Sequence, residues 1–215
     1  MGNKIRNTTA KERMLKKIRQ ALLQKRENPY PQFEDTPLYR TDQTPLPVLF
    51  AENLKAHAGQ FVYCESELQL MENLLTLIEQ KGLRRIHVWE PVLQEIMDRY
   101  ELPYYKTDQD FAALELGITT CEGLIARNGS VMVSNANAGG RRLSSFAPIH
   151  IVIAHSNQIL TDIKDGMNLL KKKYGARLPS SISFITGPSR TADIEKTLVL
   201  GAHGPKELFV FLMDY

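Results

Sequence analysis

The chain has 215 residues, of which 43% are hydrophobic and 24% charged, and its formal charge is +3. This length and balance predict one globular domain with an appendage and exclude a disordered or fibrous chain. No apolar run approaches the roughly 18 residues that cross a bilayer, and the polar N-terminus differs from a signal peptide. We therefore expect a cytoplasmic protein with no membrane partner.

The N-terminal arm is strongly basic, because Met1 to Arg26 holds nine Lys or Arg and one acid, Glu12, which leaves −5 on the rest. Met14, Ile18 and Leu22 recur at helical spacing and predict an amphipathic helix. Five prolines between residues 27 and 47 predict an extended tether. A docked helix is favoured over a partner-binding arm, and nucleic-acid binding is disfavoured because no aromatic residue interleaves the charges. We assign residues 1–46 to this arm and tether and 47–215 to the globular domain.

In the first half of the domain, short β-rich runs alternate with amphipathic segments. The pattern predicts strands over 60–64, 85–89 and 104–106. It predicts helices over 67–81, ended by Gly82, and over 92–100. Strand, helix and strand at this spacing indicate a parallel sheet with right-handed crossovers.

Strand-like runs then follow one another without a long helix between them, over 118–121, 123–127, 130–134 and 149–154. Asn128-Gly129 predicts a tight hairpin, because both residue types tolerate positive φ. The alternation resumes with a helix over 159–174, a buried strand over 181–186, a helix from about Ser189 to 200 and a final strand over 208–212. The predicted class is α/β, with a mixed, mainly parallel sheet flanked by helices.

The most informative segment is SFITGPSRTADIEKTLVLGAHGPK, residues 183–206. A helix that opens near Ser189 at the end of a strand would present free N–H groups, to which Arg190 adds a guanidinium. We therefore predict a cradle for a small anionic metabolite, formed by Gly187, Ser189, Arg190 and Thr191. The alternative, weighed evenly, is that Arg190 only pairs with acids that complement the helix dipole.

Candidate catalytic groups occur in the same segment. Asp193 or Glu195 could act as a base or nucleophile, and His203, in the turn GAHGP, as a proton shuttle. A structural turn histidine is the favoured alternative for His203. Two turn-rich loops offer further anion-binding groups, namely Gly129, Ser130 and Arg142. GxGxxG, GxxxxGK[ST] and GxSxG are all missing from the sequence.

Metal and cofactor ligands are scarce in the sequence. Cys64 and Cys121 are the only cysteines, and neither belongs to a CxxC pair. Iron–sulfur clusters and structural zinc take about four ligands. We expect no metal and no cofactor in this chain, and we interpret each cysteine as a small buried hydrophobe in preference to a nucleophile. The other histidines lack ligand spacing and are interpreted as structural: His57, His87, His150 and His155.

Three runs of the sequence resemble the LUD domain family of lactate-utilisation proteins: TTCEGLIARNGSVMVS (119–134), RRLSSFAPIHIVIA (141–154) and ITGPSRTADIEKTLVLGAHGPKELFVFLMD (185–214). The resemblance implies a fold like the NagB/RpiA/CoA-transferase superfamily. It also implies a place in a three-protein system that oxidises L-lactate to pyruvate, with the iron–sulfur centres in companion proteins. It carries over no catalytic residue. Relatives often have Thr-Gly-Ser where this chain has Asn128-Gly129-Ser130.

Two functional hypotheses follow. The first is an accessory subunit of lactate oxidation that binds a small carboxylate or a partner protein. The second is a stand-alone isomerase or acyl-CoA transferase acting on a small anionic metabolite, with Glu195 or Asp193 as base, Arg190 as clamp and His203 as acid.

Overall fold

The computed structural model describes residues 9–23, 43–139, 141–194, 197–201 and 203–214, with the backbone alone for 192–194 and 197–200. Two compact units meet in sequence between Gln43 and Thr44. In the first unit, the predicted amphipathic helix is confirmed as α1 (Ala10–Leu23). Its N-terminus is capped by Thr9 and Glu12, since the Glu12 amide donates to Thr9 Oγ1 at 3.3 Å and the Thr9 amide donates to Glu12 Oε2 at 2.8 Å. Most of the predicted tether (27–47) lies outside the described residues, since residues 24–42 are not described.

Helix α2 (Leu46–Ala56) opens the second unit and was not predicted. Pro45 occupies the N-cap position without a side-chain capping bond, and Pro47 lies in the first turn, where the missing N–H is not needed. The extended assignment was therefore wrong for residues 46–47. The boundary predicted between residues 46 and 47 stays a prediction, and α2 runs across it.

The remaining helices and the strands follow in chain order. The helices are α3 (Glu67–Lys81), α4 (Pro91–Arg99), α5 (Arg142–Phe146) and α6 (Ile163–Tyr174). The strands are β1 (Gln60–Cys64), β2 (Ile86–Val88), β3 (Leu116–Thr119), β4 (Gly123–Ile125), β5 (Ser130–Ser134), β6 (Ile149–His155), β7 (Ile159–Leu160), β8 (Ile182–Ile185), β9 (Arg190–Ile194), β10 (Thr197–Leu200) and β11 (Glu207–Met213).

Five of these strands form an all-parallel central sheet in the order β1-β11-β6-β3-β2. A second sheet has the order β7-β4-β5-β8 and contains both parallel and antiparallel pairs. The predicted α/β class with a mainly parallel sheet flanked by helices is confirmed. Along the described chain, no helix is both long and apolar enough to cross a membrane.

Side chains of the central strands alternate between the two faces of the sheet. They therefore contribute to two core clusters, one on each face. Ile149, Ile151 and Ile153 of β6 pack with α3 and α4 on one face. Val152 and Ala154 pack on the other face with α2, β4 and β5. This period of two explains why β6 and β11 are apolar at almost every position, since both of their faces are buried.

Local predictions near turns were confirmed either fully or in part. Helix α3 ends at Gly82 with φ 63°, as predicted. The segment predicted as one helix over 159–174 begins with β7, and α6 starts only after Asp162, whose side chain accepts from the Lys164 amide at 3.2 Å. The hairpin between β4 and β5 has a four-residue connection, 126–129, in which Gly129 alone takes positive φ (62°).

The helix predicted from Ser189 to 200 was wrong, because β9 and β10 form an antiparallel pair over these residues. Thr191, Ile194, Thr197 and Val199 are β-branched, which favours strands, and the segment RTADIEKTLVL also fits a period of two. The strand predicted as buried over 181–186 is β8, at the edge of the second sheet, with Ser183 exposed and its neighbours half-buried.

Candidate functional site

A cavity of ≈ 280 Å³ lies where α5, β8 with its following turn, and the turn before β11 come together. Hydroxyl groups dominate its lining, from Ser144, Ser145, Thr186 and Ser189, and His203 joins them. We refer to it as the hydroxyl cavity. Since α5 and the His203 turn directly precede β6 and β11, the cavity lies at the amino end of these central strands, opposite to the carboxyl edge expected for a parallel sheet.

Three of the predicted site residues, Gly187, Ser189 and His203, line the hydroxyl cavity together. The turn is fixed by its backbone, because the Ser189 amide donates to the Pro205 carbonyl at 2.8 Å and the Gly201 amide donates to the Ser189 carbonyl at 3.0 Å. The Ser189 amide is therefore engaged within the protein. The hydroxyl groups, in place of a helix N-terminus, are the groups that this corner offers to a ligand.

The other residues of the predicted cradle, Arg190 and Thr191, are not part of the lining of the hydroxyl cavity. The Arg190 side chain is exposed and donates to the His57 carbonyl at 3.2 Å. Thr191 lies within β9, and of Asp193 only the backbone, also in β9, is described. Glu195 lies outside the described residues. The acid pair at a helix N-terminus, which motivated the isomerase or transferase hypothesis, is lost together with that helix.

The residues predicted from the two turn-rich loops are not part of the lining of the hydroxyl cavity. Ser130 is buried, and its Oγ is hydrogen-bonded to Thr186 Oγ1, which connects β5 to the wall of the hydroxyl cavity. Gly129 packs against α2, where Asn53 Nδ2 donates to the Ala126 carbonyl at 2.9 Å. Arg142 lies over the Phe111 ring, 4.3 Å from its centroid, and pairs with Asp108 at 3.2 Å.

A second group of buried polar residues, which the sequence did not predict as a group, begins at the carboxyl ends of β2 and β3. Glu90 follows β2 and is 4% exposed, and its Oε2 accepts from the Thr120 amide at 2.9 Å. Thr119 Oγ1 of β3 lies 2.9 Å from His150 Nε2 of β6, and both residues are fully buried. We call Glu90, Thr119 and His150 the carboxyl-edge cluster after its first two members, because His150 is the second residue of β6 and pairs with Gly117 in the register. An acid directly after a buried strand, as in HVWE, was the available signal.

Glu122 follows β3 and is also buried, but its carboxylate has three donors. Ser134 Oγ and Tyr174 OH donate to Oε1 at 2.6 and 2.8 Å, and Lys173 Nζ donates to Oε2 at 2.8 Å. Burial opposes ionisation and is the largest single influence, yet these hydrogen bonds together outweigh it and hold the pKa of Glu122 below its ordinary value. Glu122 thus ties the end of α6 to the β4–β5 hairpin.

Both cysteines are buried, as expected, and they belong to different core clusters. Burial raises the pKa of each thiol. Among the residues whose side chains are described, no three His, Cys, Asp or Glu residues are grouped as a metal site.

Comparison with known proteins decides the family, because the LUD domain matches residues 48–213. The chain belongs to the LUD domain family. Lactate utilization protein C 1 of Bacillus mycoides is 34% identical over 104 residues, which are 47% of this chain and 44% of that protein. This LUD domain protein thus aligns with less than half of that relative. Lactate utilization protein C of Halalkalibacterium halodurans is 27% identical over 190 residues, 81% of each chain.

The LUD fold is also seen in a crystal structure of a DUF162 family protein from Deinococcus radiodurans. The two superpose with a TM-score of 0.61, covering 81% of this chain and 99% of that one. At 14% identity this likeness concerns the fold alone.

Proposed function

We propose that this protein is a cytoplasmic component of a lactate-utilisation system, in which it binds a small carboxylate and separate iron–sulfur proteins transfer the electrons. The observation that carries the proposal is the similarity to proteins named lactate utilization protein C, one of them aligned over 81% of both chains. The role is accessory: the chain holds the metabolite, and the oxidation takes place with its companion proteins.

The hydroxyl cavity supports a small, oxygen-rich ligand. Serine and threonine hydroxyl groups donate to carboxylate oxygens and also accept from a ligand hydroxyl, so one lining can hold both ends of a 2-hydroxy acid. The volume of ≈ 280 Å³ lies just below the usual range for drug-sized ligands, which suits a metabolite of a few carbon atoms. His203 adds a group that can donate to a carboxylate.

The number and the positions of the cysteines are the reason for proposing companion proteins. An iron–sulfur cluster takes about four cysteine ligands, or two cysteines and two histidines. Cys64 and Cys121 are buried in separate core clusters and cannot ligate one centre together. The centres that accept the two electrons from lactate are therefore assigned to partner chains.

Growth of the host tests the proposed role. We expect that deleting the gene for this chain abolishes growth on L-lactate as sole carbon source, while growth on pyruvate stays normal. Normal growth of the deletion strain on L-lactate contradicts the proposal.

Calorimetry tests the proposed ligand site. Removing the Ser189 hydroxyl by Ser189→Ala should weaken L-lactate binding roughly fivefold, the effect of about one lost hydrogen bond. Ser180→Ala is the matched control, because Ser180 is exposed, lies just before β8 and is not part of the cavity lining. Equal affinities for both variants would exclude the hydroxyl cavity as the site.

A further inference from the structure

Helix α1 carries an apolar stripe that is open to solvent. Met14, Ile18 and Leu22 follow one another at intervals of four residues and Leu15 lies beside them, so all four lie on one face. Their exposed fractions are 65%, 47%, 77% and 42%, in that order. We call these four residues the α1 stripe. Exposed apolar surface that is rimmed by polar residues marks a site of contact with a protein or a membrane.

Basic side chains occupy the positions around the α1 stripe. At about 3.6 residues per turn, Lys17 lies on one side of the stripe and Arg19 on the other, while Lys16 lies on the opposite face of the helix. Within α1 there are five basic residues: Lys11, Arg13, Lys16, Lys17 and Arg19. The single acid, Glu12, is engaged by Thr9 at the start of the helix. The helix therefore combines an apolar face with cations on its remaining sides.

A nucleic acid accounts for the charge of this arm and leaves the α1 stripe without a function. Cations bind the phosphate backbone, and bases stack on aromatic rings. Residues 1–26 contain no aromatic residue. Four exposed aliphatic side chains on one face have no part in such a contact.

A groove on another protein accounts for the α1 stripe but not for the distribution of the charge. The rim of a groove meets only the cations at its two edges, so Lys16 on the opposite face would contribute nothing. A charged surface acts over about 8–10 Å, which is comparable to the diameter of a helix, about 10–12 Å. Cations on every side of α1 are therefore attracted to an extended anionic surface.

We propose that α1 lies on the surface of a bilayer that contains anionic lipids, with the α1 stripe at the boundary between headgroups and acyl chains. Amphipathic helices with a basic polar face bind in this orientation, and clusters of four to eight Lys or Arg on such a helix suit anionic lipids. Lys11 projects from the same face as the stripe, and its long side chain can carry the ammonium group to the headgroups.

This contact replaces the expectation of no membrane partner, which was based on the lack of a spanning segment. A helix of 14 residues is too short to cross a bilayer and long enough to lie on one. The contact is independent of the hydroxyl cavity and of the proposed role in lactate utilisation, because it uses none of the residues that line the cavity.

Flotation with lipid vesicles tests the contact on the complete 215-residue chain. Vesicles of equimolar phosphatidylglycerol and phosphatidylcholine are the anionic probe, and vesicles of phosphatidylcholine alone are the neutral one. We expect the protein to float with the anionic vesicles and the affinity to fall as salt is added, because salt screens the attraction. A protein that does not float with anionic vesicles at low salt overturns the proposal.

Substitution within the α1 stripe tests its insertion into the lipid. Ile18→Ser should weaken binding to the anionic vesicles by about tenfold, because a large apolar side chain no longer enters the bilayer. Gln20→Ser is the matched control, since Gln20 lies on the opposite face of the same helix and receives the same new residue. Equal affinities for the two variants would show that the stripe stays outside the lipid and would overturn the proposal.

Substitution of the cations tests the electrostatic part. Lys17→Gln should weaken binding to the anionic vesicles by about fivefold, the usual contribution of one cation near a charged bilayer. Lys172→Gln is the control, because Lys172 is an exposed lysine on α6. An equal loss for Lys172→Gln would place the lipid contact on the second unit and would contradict the role of α1.

The flotation and growth experiments fail independently. If the protein floats as expected while its gene is dispensable for growth on L-lactate, the membrane contact stands and the role in lactate utilisation falls. If the gene is required and the protein does not float, the role stands and the membrane contact falls. Tight binding to duplex DNA that Ile18→Ser leaves unchanged, without flotation, would assign the arm to nucleic acid and would overturn the proposal.

Discussion

At the scale of single residues, two glycines allow α2 to approach the loops around the candidate site. A Cβ on Gly129 would lie 2.2 Å from the Leu54 amide nitrogen, and one on Gly187 would lie 2.1 Å from the His57 carbonyl oxygen. Both glycines also take positive φ, at 62° and 78°. Backbone therefore contacts backbone at these points, and no larger residue fits without moving α2.

Substitution of Gly129 tests this close approach. Gly129→Ala should lower the free energy of unfolding by at least about 3 kcal/mol, because conformational strain adds to a clash with backbone atoms. Gly82→Ala is the control, since Gly82 has the same φ, 63°, with no atom within 4 Å of a new Cβ. Its cost should stay near 1 kcal/mol. Chemical denaturation measures both, and equal losses would contradict the packing described.

Glu122 is a buried residue whose ionisation is coupled to stability. Its pKa is lowered in the folded protein, so the stabilisation is present above the unfolded value of about 4.3 and is lost as pH falls through the folded value. Glu122→Gln should lower the free energy of unfolding by about 1–3 kcal/mol at neutral pH.

The difference between wild type and Glu122→Gln should shrink below about pH 4.3, as the wild-type carboxylate takes up its proton. Asp108→Asn serves as the surface control, because the Asp108–Arg142 pair is exposed and such pairs contribute little. Denaturation curves across pH 3–7, a range set by the reference pKa of about 4.3, measure both variants. A Glu122→Gln difference that is constant with pH would show that the charge is not the cause.

At the scale of elements, local sequence patterns predict the wrong structure where two of them compete. Residues 189–200 combine a capping Ser, acids near the start and apolar residues at helical spacing, all typical of a helix, with β-branched residues that favour strands. Pairing between β9 and β10 decides in favour of strands, and such pairing is not visible in a local pattern. In α2, prolines that suit a first turn were attributed to a tether.

Helix α2 also holds the turn between β4 and β5 through Asn53, whose Nδ2 donates to the carbonyls of Ala126 and Arg127 at 2.9 and 3.1 Å. Asn53→Ala leaves both carbonyls without this donor and should cost about 1–3 kcal/mol of stability. Asn73→Ala is the control, because Asn73 makes only a weak contact with Cys64 Sγ at 3.7 Å. Thermal unfolding compares them, and a smaller loss for Asn53→Ala than for Asn73→Ala would contradict a structural role for this contact.

At the scale of the whole molecule, alternation of strands and helices was sufficient to predict the α/β class. The turns at Gly187, Ser189 and His203 could be predicted to contribute to one site, because β11 follows the hairpin after only a few residues. The carboxyl-edge cluster could not, since Glu90, Thr119 and His150 meet only through the register of β2, β3 and β6. The register depends on how neighbouring strands bury their apolar faces together. The residue pattern of a single strand does not specify it.

The proposed function requires that the hydroxyl cavity bind the metabolite of a lactate-utilisation system. A crystal structure of the protein at saturating L-lactate tests it most directly. We predict lactate in the cavity, with its carboxylate oxygens within hydrogen-bonding distance of the Ser189 hydroxyl or the His203 imidazole. A cavity that stays free of lactate at that concentration would contradict the account.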